Sequence, residues 1–165
     1  MRVDIKKTIK WLKIALILLM ACTVAFIFVN SALPPEQSSE QSDAMGNFIG
    51  QIIPPDTDLG AFVQQYLRKI AHFTEYGLLG IEIALYILAF ERKRAVVLHS
   101  IAVPFAVGLI DESIQMASGR GPSIGDVWID VGGFFTFSLL CYGIAGVAVA
   151  IIKFVRNHRD STPNG

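Results

Sequence analysis

His72 and Glu75 lie one helical turn apart and present an imidazole and a carboxylate on one face. Such a pair has the chemistry of a general base and the acid that orients it. Asp111 and Gln115 are i,i+4 neighbours, as are Asp126 and Asp130, so each pair also shares a face. Paired carboxylates can act as acid and base, or they can hold a divalent cation. Glu112 adds a further acid, and Lys69, Arg120 and a protonated His72 are the cations available to answer them. No serine or cysteine is placed as a nucleophile, so hydrolytic chemistry here would use water or a substrate oxygen.

The elements that must position these residues are apolar. Of 165 residues 53% are hydrophobic, and mean hydropathy is +0.52, above the roughly 45–50% apolar share of soluble domains. Net charge is zero, so no bulk attraction to nucleic acid follows. Cys22 and Cys141 both fall in apolar runs and read as small packing residues rather than a bridge or a metal pair. Apolar segments at about 11–29, 70–90, 95–116 and 127–154 are each long enough to cross about 30 Å of hydrocarbon. The first follows a basic head (Arg2, Lys6, Lys7, Lys10) and exceeds a signal-peptide core in length, so it reads as a retained anchor. Lys13 within it can snorkel to the headgroups.

Charge placement sets the expected topology. Basic residues mark the N-terminus, the 91–94 link and the 155–165 tail, whereas the 30–68 loop is rich in proline and acid. By the positive-inside rule, the fold class is an all-α integral membrane four-helix bundle with both termini cytoplasmic. A long extracytoplasmic loop joins the first two spanning helices. Within it, residues 45–53 suit a short interfacial helix, and Asp56 or Asp58 suits the N-cap of a helix over 59–67. Trp11, Trp128, Tyr66, Tyr76 and Tyr86 read as interface anchors or bundle packing. His158, in the charged tail, reads as solvated.

Counted from the outer helix ends, Glu75, Asp111 and Asp130 lie roughly six or seven residues deep, about 9–11 Å. His72, Glu112, Gln115 and Asp126 lie shallower on the same three helices. Lys69, His72, Glu75, Tyr76 and Glu82 fall within roughly 140° of one helix face. Charged groups facing lipid cost at least about 2.5–3.5 kcal/mol, so these faces should point into the bundle. With acids in excess, the layer calls for protonated carboxylates, a water-filled cleft or a bound cation. On the inner half, Glu82 and His99 are placed to pair across neighbouring helices, since buried charge is usually paired.

At these residues the chain resembles the VanZ-like family of bacterial membrane proteins, named for an accessory factor of glycopeptide resistance. The matching elements are Lys69-x-x-His72-Phe73-x-Glu75-Tyr76-Gly77, Asp111-Glu112-x-x-Gln115, Arg120, and Asp126 followed by Asp130 and Gly133. Asn30-Ser31 also fits the pattern, and the match makes 1–165 a single VanZ-like domain. The resemblance implies a multi-pass protein of the bacterial cytoplasmic membrane, associated in some members with lowered teicoplanin susceptibility. It implies a phenotype class and no reaction. Two positions depart from the pattern. Asp130 stands where the family often has Asn, and Phe137 stands where a small residue is common, so a looser helix contact is expected there.

Four functions remain open on this reading. The polar residues are interhelical glue, for which one or two would suffice at about 0.6 kcal/mol each. Or they line an outward cleft for membrane lipid, a headgroup or a lipid-linked wall precursor, with Lys69, His72 and Arg120 meeting phosphate and the acids meeting hydroxyls. Or His72, Glu75, Asp111 and Asp126 catalyse a reaction on such a lipid. Or they form a proton or ion pathway. No resident cofactor is expected beyond a divalent cation held by the paired acids.

Overall fold

The computed structural model describes residues 5–90, 93–121 and 123–161, with side chains described outside 93–99 and 159–161. Glu91 and Arg92 of the basic link therefore lie outside the described residues, as do the side chains of Lys93, Arg94 and His99. Among the described residues the chain is all-helical, in the order α1 (Ile5–Ser31), α2 (Pro35–Gly50), α3 (Asp58–Phe90), α4 (Lys93–Ala117) and α5 (Ile124–Ser161). Four stretches are long and apolar enough to cross a membrane: α1, α3, Ser100–Ala117 of α4 and Ile124–His158 of α5. These are the features of a membrane protein.

Two boundaries differ from the sequence expectation. The helix within the link between the first two spans is α2, Pro35–Gly50, which begins ten residues earlier than the 45–53 segment suggested and ends three short of it. Pro35 sits in its first turn, where the missing N–H costs nothing and the fixed φ suits the helix. The helix foreseen over 59–67 is continuous with the second span, so α3 runs 33 residues, about 50 Å. Its N-cap is Thr57 rather than an aspartate: Thr57 Oγ1 accepts from Gly60 N at 3.0 Å and donates to Pro54 O at 2.7 Å.

The core draws on all four spanning helices: Ile27, Tyr76, Leu79, Ile83, Ile87, Val107 and Phe134. The most extensive helix contact is α3 on α5, with α1 against α3 and α4, and α2 lying on α3. Glycines permit the α3–α5 approach. A Cβ at Gly133 would meet the Phe73 backbone, and one at Gly80 would meet the Phe134 carbonyl. Phe137 does not loosen this contact. Its ring fills the space over Gly77 and stacks edge-on with Phe73 at 5.9 Å between centroids. The small residue has been supplied by the opposite helix.

Several local readings can be placed. Lys13 Nζ lies over the Tyr86 ring, 5.4 Å from its centroid. Both cysteines are free. Trp11 and Trp128 are exposed, as interface anchors are, whereas Tyr76 is wholly buried in the core. His158 stacks on Phe154 at 5.0 Å. Glu82 is buried and accepts a hydrogen bond from Thr23 of α1 at 2.7 Å.

Candidate functional site: a buried polar cluster at one end of the bundle

The cluster is assembled by four helices, α1, α3, α4 and α5. The last turn of α1 supplies Asn30 and Ser31, which donate to Glu75 Oε1 (3.1 Å) and to Asp111 Oδ1 respectively. The middle of α3 supplies Arg68, His72 and Glu75, and the last two turns of α4 supply Asp111, Glu112 and Gln115. The first turns of α5 bring Asp126 and Asp130.

Gln115 is the hub. Its carbonyl oxygen accepts from Arg68 Nη2 and Arg120 Nη2, each at 3.1 Å. Its amide nitrogen donates to Asp111 Oδ2 at 3.1 Å and Glu112 Oε1 at 3.3 Å. One neutral side chain thus links two guanidiniums to two acids, using both ends of its amide.

Arg120 reaches Gln115 because of the turn that ends α4. Gly119 has φ +82°, a conformation that costs glycine little. Gly119 N donates to Met116 O and Arg120 N to Gln115 O at 2.9 Å, a Schellman turn that folds the chain back over the helix end. Arg120 Nη1 then donates to Asn30 O at 3.0 Å, and Ser118 Oγ to Ser31 O at 3.0 Å. The Ser118 bond satisfies a carbonyl at the C-terminus of α1, and the Arg120 bond adds to the 3.4 Å one that Asn30 O takes from Leu33 N. Burial, and then the charge of nearby Arg68, push the Arg120 guanidinium below its usual range. At the start of α5, Ser123 N donates to Glu112 Oε2 at 2.7 Å, which puts an acid at a helix N-terminus.

His72 Nδ1 faces two carboxylates at once, 3.3 Å from Asp130 Oδ1 and 3.7 Å from Asp111 Oδ2. His72, Asp111 and Asp130 each offer one ligand atom within 4.8 Å of the others. They come from α3, α4 and α5, so the three spanning helices meet here.

Two clefts open beside the cluster. A cavity of about 170 Å³ lies between α1, α2 and α3, lined by Asn30, Ser42, Arg68, His72, Glu75 and Arg120 among others. A second, of about 220 Å³, is lined by Gln65, Arg68, Lys69, His72, Asp126 and Gly121 with Ile129. His72 and Arg68 border both.

Of the nine residues singled out from sequence, His72, Asp111, Glu112, Gln115, Arg120 and Asp130 are buried in the cluster. Glu75 is half-buried beside Asn30, and Asp126 is half-buried in the second cleft. Lys69 is exposed and lines that second cleft too, so the basic residue bonded to Gln115 is its neighbour Arg68. Arg68 and Ser118 escaped the sequence reading. The signal for Arg68 was present, since a second cation stands at the head of the same apolar run.

Comparison with curated proteins and with solved structures returns no match. Residues 16–149 match the VanZ/LLP1 family model, a span that holds the whole cluster from Asn30 to Asp130, and the chain belongs to that family.

Proposed function

We propose that this protein sits in the bacterial cytoplasmic membrane with both termini cytoplasmic and binds the phosphate-bearing headgroup of a cell-envelope lipid or lipid-linked wall precursor in its outward polar cleft. The observation that carries this reading is the convergence of Arg68 and Arg120 on the neutral Gln115 oxygen at the wall of the 170 Å³ cavity. Two like charges beside one another leave unused donors, and among the described residues neither guanidinium forms an ion pair. Such a pair suits an anion with several acceptor oxygens. Polar side chains of α2, Ser38, Gln41 and Ser42, cover the cavity and match the hydroxyls of a headgroup.

The orientation rests on the basic N-terminus and tail against the acid-rich 30–58 stretch. A cysteine placed at Ser39 should react with a membrane-impermeant maleimide added to intact cells, and one at Asn157 should react only after lysis. The reverse pattern would invert the cleft and remove the proposal.

Lowered teicoplanin susceptibility is the proposed cellular consequence. Cells making the wild-type protein should tolerate more teicoplanin than cells without it, by at least about two- to fourfold. The gain should vanish with Arg120→Ala and survive Glu75→Gln at matched membrane levels, because a binding cleft needs the cation more than the half-buried acid. An enzyme acting on the same lipid is the second reading, favoured by His72 standing between Asp111 and Asp130. Loss of the gain in Glu75→Gln, together with loss of turnover of a labelled lipid, would select it. No change in susceptibility with wild type would end the phenotype proposal.

A further inference from the structure

Asp130 is fully buried, and neither of its carboxylate oxygens makes a hydrogen bond among the described residues. Nor does His72 Nδ1, which points between Asp130 and Asp111. An ionised carboxylate without donors is disfavoured at membrane depth, and this one is aimed at another acid and an imidazole. Something should bridge the three.

The spacing selects among bridges. A charge-assisted N–H···O bond closes to about 2.7–2.9 Å, shorter than either separation from Nδ1. Two ligands held about 2.0–2.2 Å from a tetrahedral zinc stand about 3.3–3.6 Å apart. The observed 3.3 Å and 3.7 Å bracket that range, and all three ligand atoms lie within 4.8 Å of one another. An octahedral magnesium would draw adjacent ligands to about 3.0 Å. Donor type agrees, since an imidazole nitrogen with carboxylate oxygens suits zinc-like cations better than magnesium. Charge agrees as well, because two carboxylates balance a divalent ion.

The supporting contacts are those of a ligand set. Ser31 holds Asp111 Oδ1 and Gln115 holds Asp111 Oδ2, fixing the carboxylate's plane as outer partners do around metals. Gly108 packs against the far side of Asp130: a Cβ there would stand 3.5 Å from Val127 Cγ1 and 3.8 Å from Asp130 Oδ2, in ordinary contact.

We propose that His72, Asp111 and Asp130 form a binding site for one divalent transition-metal cation of the zinc class, which ties α3, α4 and α5 together beside the cleft. This site does not depend on the lipid reading. The test uses the full-length protein in detergent, stripped with chelator and titrated with Zn²⁺, then with Mg²⁺. Metal content after dialysis and the thermal unfolding midpoint are the readouts. One Zn²⁺ per chain should be retained and should raise the midpoint, with little response to Mg²⁺.

Asp130→Asn, which preserves shape, and His72→Ala should each weaken Zn²⁺ binding at least about 100-fold. His158→Ala, which removes the exposed tail imidazole, should leave it unchanged. The proposal is overturned if wild type retains no Zn²⁺, or if binding survives Asp130→Asn and His72→Ala but disappears with His158→Ala. The Zn²⁺ titration is read without any lipid and the vesicle assay of the lipid proposal is read without added metal, so this proposal and the lipid proposal fail separately.

Discussion

Replacing Gly133 with leucine is expected to leave little folded protein in the membrane. A Cβ at this position would overlap the Phe73 carbonyl oxygen and stand 2.9 Å and 3.0 Å from the Phe73 carbonyl carbon and Cα. These are backbone atoms of a helix and cannot rotate aside, so α3 and α5 would have to separate. Overpacking of an ordinary core costs about 1–3 kcal/mol, and a clash that moves a helix lies at or above the top of that range. Between membrane helices there is little hydrophobic drive to restore the contact, because lipid is as apolar as the side chains. The same contact brings His72 of α3 to Asp130 of α5, so the site should be lost with the packing.

Gly143→Leu on the same helix is the comparison, since nothing lies within 4 Å of its Cβ position. Size-exclusion profiles and thermal midpoints in detergent should be near wild type for Gly143→Leu and absent or strongly lowered for Gly133→Leu. Equal behaviour of the two would contradict the packing argument.

Helix counting from the sequence brought Glu75, Asp111 and Asp130 to one depth, because residue number along a helix converts directly to distance. Asp111 and Asp130 do converge, yet the third member is His72, one turn away from Glu75. Three residues turn the helix by about 300°, so His72 and Glu75 point about 60° apart: His72 faces Asp111 and Asp130, and Glu75 faces Asn30 of α1. A count of depth alone carries no such angle. Angular position explains Arg68 and Lys69 in the same way. Adjacent residues diverge by about 100°, so one of them turns to Gln115 and the other to the second cleft.

Other features rest on conformations that periodicity does not report. Arg120 meets Gln115 through the positive φ of Gly119, a property of one residue in a link. After Pro35 the first half of α2 is serine, glutamine and acid, with apolar residues only from Ala44 onward, so hydrophobic spacing could not mark its start. Phe137 looked like an interruption in a small-residue pattern. It becomes a packing residue only once Gly77 is seen opposite it.

Removing both guanidiniums from the cleft is expected to abolish anionic-lipid binding. Arg68 is exposed at its mouth, and Arg120 is buried with its Nε unpaired among the described residues. A hydrogen bond to a charged partner contributes about 1.5–3 kcal/mol, and each 1.4 kcal/mol is a factor of ten in affinity. Loss of one guanidinium should therefore weaken binding about 10- to 100-fold, and loss of both by more. Arg120 also closes the end of α1 through Asn30 O, so its variant will be less stable. Arg68→Gln lacks that complication and separates binding from folding.

The direct measurement is the affinity of the purified protein for vesicles of phosphatidylglycerol against phosphatidylcholine, at two salt concentrations, for wild type, Arg68→Gln and Arg68→Gln/Arg120→Gln. The account predicts a salt-sensitive preference of wild type for phosphatidylglycerol, reduced at least about tenfold in Arg68→Gln and absent in the double variant. Equal affinity of wild type and Arg68→Gln for phosphatidylglycerol would contradict it.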